Sequence, residues 1–435
     1  MDLITLIAVL LLVMFAILAG GMWIALSLAV VGFVAMTLQV SAPAGSVLAI
    51  SAWQSATSWD LTALPMFIWM GEILYRTRLS EDLFRGLAPW LGRFPGRLLH
   101  VNVAACTVFA AVSGSSAATC ATIGRISLPE LARRGYDQRI SVGSLAGAGT
   151  LGLLIPPSII LIVYAAATEQ SIIQLFLAGV MPGLLIAALF MSFIAVWALF
   201  NRHRMPPAEP VTTFVERLSE SRRLIPVILI IVFTIGSIYA GIASATEAAV
   251  VGVLLSLGLS WWVGSLDRES FSTALMRATM TSCMIAFILS GAAFLTVAMG
   301  YTGIPRALAG LIAEHDLARW QLLVALTVLY VVLGCFLDGI SIVVLTTSVI
   351  IPMVDSAGIN LIWFGIFLVL VVEMAQITPP VGFNLFVLQG LTGLNIFSIA
   401  LYTFPFFVLL AVTAVLLATF PEIALWLPSR MMSSP

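Results

Sequence analysis

The sequence predicts an all-α polytopic membrane protein: two halves of inverted topology, each with a re-entrant helical hairpin and a broken helix. Four observations predict it. Only 9% of the 435 residues are charged while 61% are hydrophobic, against roughly 25% charged in ordinary soluble domains. Stretches 3–59, 170–201 and 374–421 carry no charge at all, each enough for one or more helices of about 20 residues across a hydrocarbon core about 30 Å thick. The halves repeat with an offset of 223 residues. Lastly, arginine is distributed unequally between equivalent segments of the two halves.

Runs and breakers place the elements in order. Spans are expected near 3–19, 22–40 and 62–75, then an interfacial helix over 80–91 and a hairpin over 98–128. A span near 140–168 is interrupted by Pro156-Pro157 and followed by one near 172–200. The polar stretch 201–223, with Pro206, Pro207, Pro210 and clustered arginines, reads as an extramembrane linker between a first repeat (1–200) and a second (224–435). Spans near 224–242, 246–264 and 275–298 follow. Next come a counterpart interfacial segment over 304–312, a hairpin over 321–351, a span near 361–391 interrupted by Pro379-Pro380, and a span near 396–420.

The repeat rests on backbone-shaping residues in one frame. Pro129 falls on Pro352, Gly135 on Gly358, Asp137 on Asn360, and Pro156-Pro157 on Pro379-Pro380. Six arginines lie in 93–139, but only Arg319 in the matching 316–362. Positive charge stays cytoplasmic, so equivalent segments face opposite sides, the pattern of an inverted repeat. The path then delivers 201–223 to the cytoplasm and leaves Met1 outside. For this to close, 98–128 and 321–351 must enter and leave on one face, being too short for two crossings. Irregular backbone at that depth is tolerated only where protein or an aqueous cavity surrounds it.

Chemistry concentrates at the tips and breaks. The first tip, Ser113-Gly114-Ser115-Ser116-Ala117-Ala118-Thr119, sets hydroxyls where a bilayer segment is usually most apolar. Hydroxyl and carbonyl oxygens at a broken helix suit a hard cation such as Na⁺; close helix packing by small residues is the plainer reading. Its frame partner is Leu337-Asp338-Gly339-Ile340-Ser341, where a carboxylate near mid-bilayer calls for a cation, a partner or water. Around Gly152, Leu154, Pro156 and Pro157, missing amide donors unwind the helix and free carbonyls for a cation. The helix N-terminus after Pro157 favours an anion. Thr378 to Asn384 offers the same in the second half. The expected cation ligands are therefore Ser113, Gly114, Ser115, Gly152, Leu154, Pro157, Asp338, Gly339, Ser341, Thr378 and Gly382. Ser116, Thr119, Ser158 and Asn384 are the expected contacts of an anionic substrate between them.

Other features point away from alternatives. The net charge of −1 offers no basic surface for nucleic acid. Cys106, Cys120, Cys283 and Cys335 have no metal-ligand spacing and read as apolar packers. His100, His203 and His315 lie in or near polar connections, and no HExxH or serine–histidine pair supports an intramembrane enzyme. Glu72, Glu169, Glu247 and Glu373 interrupt apolar runs and read first as span ends near water, with a proton path as the alternative. No cofactor and no metal other than a coupling Na⁺ is expected. No cleavable leader is evident in the Met-Asp start.

At five segments the chain resembles the large membrane subunit (DctM-like) of TRAP, tripartite ATP-independent periplasmic, transporters. They are MGEILYRTRLSEDLF (70–84), AVSGSSAATCATIGRISLPELARRGYD (111–137), LLIPPSIILIVYAAATEQSI (153–172), FLDGIS (336–341) and ITPPVGFNLFVLQG (377–390). Thr77-Arg78-Leu79 departs from the family's usual glycine before the leucine. The resemblance implies an ion-transporter-superfamily fold of elevator type and Na⁺-coupled symport of an organic acid (dicarboxylate, sialic acid, sugar acid or keto acid) across a bacterial or archaeal inner membrane. It also implies two partners: a soluble periplasmic binding protein and a small four-helix membrane subunit, here expected as a separate chain. A binding-protein-independent anion symporter of the same superfamily is the alternative, which a neighbouring binding-protein gene would separate.

Overall fold

The computed structural model describes residues 3–39, 42–207, 213–307, 310 and 318–432, and no strand occurs among them. The first half comprises α1 (Leu3–Ala19), α2 (Ile24–Gln39), α3 (Ala44–Ala56), α4 (Ala63–Arg76), α5 (Leu79–Leu91), α6 (Leu99–Ser113), α7 (Ser116–Arg133), α8 (Gln138–Thr150), α9 (Ile159–Thr168) and α10 (Ile172–Phe200). The second comprises α11 (Phe214–Tyr239), α12 (Ala245–Trp262), α13 (Arg268–Thr302), α14 (Arg319–Gly334), α15 (Gly339–Ser356), α16 (Leu361–Gln376), α17 (Phe383–Thr392), α18 (Ile396–Thr419) and α19 (Glu422–Met432). Six helices, α10 to α13, α15 and α18, are long and apolar enough to cross a membrane by length and composition. Shorter apolar helices such as α2, α6, α9, α14, α16 and α17 complete the set.

The 223-residue frame holds at the level of caps. Asp137 caps α8 through the Arg139 amide, and its frame partner Asn360 caps α16 through Ile362 and Trp363. Ser115 caps α7 and Asp338 caps α15. Gly135 and Gly358 both take positive φ, and Pro156-Pro157 and Pro379-Pro380 are both cis.

Three elements differ from expectation. Helix α3 stands where no span was read, because Ser, Gln and Pro43 weaken its apolar signal. Its frame partner is the beginning of α13, so 57–62 breaks in the first half what the second keeps as one 35-residue helix. That helix, about 52 Å long, starts seven residues before the expected span because Asp267 caps it through the Ser270 amide at 2.6 Å. The linker, too, is helical from Phe214. Thr213 and Glu216 form a reciprocal capping box, and the helix then runs to Tyr239. It is clamped to α5, where Trp90 Nε1 donates to Ser221 Oγ at 2.6 Å and Arg223 Nη1 meets Asp82 at 3.2 Å. The expected interfacial helix over 80–91 is α5; of its counterpart over 304–312, residues 308, 309, 311 and 312 lie outside the described residues, as do Pro210 and His315.

Burial inverts the soluble pattern. Large side chains such as Trp23, Trp53, Trp59, Trp261 and Trp262 stand more than 70% exposed, as apolar surface facing lipid and aromatic residues at its border require. The most enclosed elements include the first break: residues 140–165 are buried throughout, as are 14 residues of the regular helix α16. The unwound backbone of the first break is thus shielded by protein, the condition for its survival at membrane depth.

Candidate transport site

In the first half the tip sits directly on the break. Gly114 ends α6 in the left-handed region (φ +61°), and a side chain there would meet Pro157 O at 2.8 Å. Its carbonyl accepts the Ile159 amide at 3.3 Å. A Cβ on Gly152 would lie 2.5 Å from Ser115 O and 2.7 Å from Thr119 Oγ1, so glycine is what permits the contact. Ser113 and Thr119 hydroxyls pair at 2.7 Å. Ser158 caps α9 through the Leu161 amide at 3.4 Å and donates to Leu153 O. Gly152, Leu154, Pro157 and Ser158 are all buried.

The second half repeats the arrangement more loosely. Cys335 Sγ at the tip donates to Pro379 O at 3.3 Å. Asp338 accepts from the Ile340 and Ser341 amides at 3.2 and 3.4 Å and from the Ser341 hydroxyl. Its carboxylate therefore lies at a helix N-terminus, where negative charge is favoured. The break folds on itself: Gly382 N donates to Thr378 O at 3.0 Å, and Thr378 Oγ1 to Met374 O at 2.7 Å. Gly339 is buried, its missing side chain replaced by Val372 and Ile160. Thr378 and Pro379 are half-buried and Pro380 is exposed.

The two tip-and-break regions meet at a polar bridge. Ser116 Oγ, at the start of α7, donates to Asn384 Oδ1 of α17 at 2.8 Å, and Asn384 Nδ2 reaches Ala146 O at 3.4 Å. Ser116, Thr119, Ser158 and Asn384 are all buried and satisfied by protein partners. The structure thus sets the first tip on the first break, links the second tip to its break through Cys335 and Pro379, and joins the two through Ser116–Asn384.

Of the four glutamates in apolar runs, three lie at helix ends or on the surface. Glu72 pairs with Arg76, Glu169 is exposed just past α9, and Glu247 caps α12 from within its first turn. Glu373 differs. It is fully buried, and neither carboxylate oxygen completes a hydrogen bond; the Leu154 amide of the first break approaches without closing one. The signal for it was present: Glu373 is the sole charge in 361–380 and the frame partner of Thr150, the residue before the first break. The cysteines are free, and no group of three His, Cys, Asp or Glu comes together among the described residues.

An all-helical, multi-pass membrane chain with two matched breaks around a polar bridge is a transport protein in architecture. The chain belongs to the family described as tripartite ATP-independent periplasmic transporter, DctM component, whose profile matches residues 11–423. It is a transporter component and not an enzyme. It is 33% identical over 383 residues to the C4-dicarboxylate TRAP transporter large permease protein DctM of Pseudomonas aeruginosa, covering 88% of this chain and 89% of that one. It is 31% identical over 370 residues to the ectoine TRAP transporter large permease protein TeaC of Halomonas elongata, covering 85% and 86%. In fold it matches the crystal structure of the Alcanivorax borkumensis YdaH transporter. The TM-score is 0.64 over 93% of this chain and 98% of that one, at 14% identity.

Proposed function

We propose that the chain is the moving, solute-conducting subunit of a Na⁺-coupled symporter. On this reading it takes up an organic acid that a periplasmic binding protein hands over. The observation that carries the reading is the equivalence of Ser115 and Asp338. Each caps the second helix of its hairpin, and each hairpin tip touches the proline break of its own half. The first half therefore offers hydroxyl and carbonyl oxygens, and the second a carboxylate with a hydroxyl and carbonyl oxygens, the oxygen-rich chemistry a hard cation takes. Ser115, Ser113, Gly114, Gly152, Leu154 and Pro157 would hold one Na⁺; Asp338, Gly339, Ser341, Thr378 and Gly382 a second. Two cations lower the cost of moving an anion through a low-dielectric barrier, and the substrate would take over Ser116, Thr119, Ser158 and Asn384. Tip and break would travel as one body against α1 to α4 and α11 to α13, elevator-fashion, beside a separate small subunit.

In this reading the chain lies in the inner membrane with its N-terminus periplasmic. A Ser219→Cys label, in a background lacking Cys283, is accessible only from the cytoplasm; labelling from the periplasm overturns the orientation. The coupling test is uptake into proteoliposomes holding the chain, its co-purified subunit and the cognate binding protein, across C4-dicarboxylates, sialic acids, sugar acids and keto acids. Uptake rises steeply with an inward Na⁺ gradient and vanishes with choline in its place. Equal uptake in choline refutes Na⁺ coupling.

A further inference from the structure

The largest cavity described, about 690 Å³, lies away from both tips, enclosed by α5, the far end of α7 and the first turns of α11. Seven arginines line it against three glutamates, in a chain with only 19 arginines and no lysine. Two of those glutamates are already occupied: Glu81 holds Arg85 at 2.6 Å, and Glu130 holds Arg133 and Arg134 at 2.8 and 2.6 Å. Glu220 holds Arg223, at 2.8 Å, outside the cavity lining. Arg93, Arg97 and Arg125 have no carboxylate partner among the described residues; Arg97 donates to Pro206 O at 2.7 Å, and Arg125 lies over the Tyr75 ring at 4.7 Å. The cavity therefore carries a positive excess that the described residues do not neutralise.

Its walls are mixed in a particular way. Phe84, Ala88, Pro89 and Leu98 give an apolar side, while Trp90 and Phe94, 40% and 54% exposed, flank it on the outer surface. Arg125 and Arg133 lie ten and eighteen residues along α7 from the Ser115 tip, about 15 and 27 Å at helical rise. With the tip near mid-bilayer, the single point borrowed from the proposed function, that is the headgroup level of one leaflet. Arginine forks match phosphate oxygens in bidentate fashion, and basic pockets between helices at this depth suit anionic lipid headgroups. A freely diffusing phosphate would use the arginines but not the apolar side.

We propose that this cavity binds the phosphodiester headgroup of an anionic phospholipid of the arginine-bearing leaflet, phosphatidylglycerol or cardiolipin, with an acyl chain along Phe84 and Pro89. A headgroup there bridges the interfacial helix, the first hairpin and the linker helix, three elements that otherwise share few ion pairs, and so sets how freely the hairpin moves against its brace.

The test uses the full chain, with whatever subunit co-purifies, in phosphatidylcholine nanodiscs titrated with phosphatidylglycerol or cardiolipin. Thermal unfolding and native mass spectrometry are the readouts. Anionic lipid raises the midpoint and is retained on the protein. Replacing Arg93 and Arg97 together by Gln raises the half-saturating lipid fraction about 30-fold, whereas the exposed Arg277→Gln, outside the cavity, leaves it unchanged. If the double variant does not fold, Arg133→Gln, 73% exposed, supplies a milder loss of several-fold. Inorganic phosphate giving the same shift in pure phosphatidylcholine makes this a free-anion site and overturns the lipid assignment. Equal retention of zwitterionic and anionic lipid, or no difference between Arg93/Arg97 and Arg277 variants, overturns the site. None of these readouts uses uptake, so failure of the Na⁺-coupled reading shows separately.

Discussion

Gly152→Ala isolates the contact on which the first proposed cation site depends. The new methyl lands 2.5 Å from Ser115 O, 2.7 Å from Ser115 C and 2.7 Å from Thr119 Oγ1. Two of those atoms are backbone, so no side-chain rotation relieves the clash and the tip must retreat from the break. Overpacking of this kind costs about 1–3 kcal/mol. If the strain is relieved by opening the tip–break pair, the cation that needs both sides loses that amount, a roughly 5- to 150-fold weaker Na⁺ affinity. The assay is the Na⁺ concentration for half-maximal stabilisation against heat, with choline chloride as the ionic-strength control. Gly300→Ala is the comparison, because a methyl there meets nothing within 4 Å and a helical Gly-to-Ala change is neutral or mildly stabilising. A Gly152→Ala protein whose Na⁺ dependence matches that of Gly300→Ala refutes the reasoning.

Three further outcomes are expected. Asp338→Asn keeps the α15 cap, since Asn caps as well as Asp, but removes the charge; uptake loses steepness against Na⁺ while protein yield is unchanged, and an unaltered Na⁺ dependence makes Asp338 purely a cap. Asn384→Ala orphans the buried Ser116 hydroxyl and costs about 1–3 kcal/mol, whereas adding Ser116→Ala to it costs little more; strict additivity in chemical or thermal unfolding denies the bridge. Glu373→Met replaces a carboxylate whose oxygens complete no hydrogen bond by an apolar side chain of similar length, so it stabilises by about 1–3 kcal/mol; a fall in the unfolding midpoint shows that Glu373 has a partner at work.

The fold was legible where chemistry is local. Proline pairs cannot donate amides, glycine at 135 and 358 permits positive φ, and Asp137 and Asn360 are both cap-formers; such residues state their backbone role in any context. Composition carried the membrane assignment, and the breaks and tips followed from where small, polar and proline residues interrupt apolar runs. What escaped was set by partners distant in sequence. Helix α3 is short, and Pro43, Ser46, Ser51 and Gln54 dilute its apolar pattern, so its existence shows only through its frame partner in α13. The Ser116–Asn384 hydrogen bond spans 268 residues, and neither residue type announces the other. Glu373 resembles three other glutamates in local sequence; only packing against residues 151–154 distinguishes the enclosed one from those near water.

The two breaks share a sequence design but not a state of closure. Residues 151–158 are buried to the last one, and the first tip closes on them through Gly114 O and the Ile159 amide. In the second half Pro380 is exposed, Phe383 is 48% exposed, and the tip reaches the break through a cysteine thiol, a weak donor. Equivalent elements held differently are what one state of an alternating device requires, because two equally closed halves would open to neither side. On the proposed reading the first half holds its ion ligands ready while the second completes its site only when Thr378, Gly382 and Asp338 draw together. The order of binding then follows from packing: the cation at Ser115 meets a formed site, and the one at Asp338 must first assemble its own. Removing the Asp338 charge should therefore slow the second binding step and leave the first untouched.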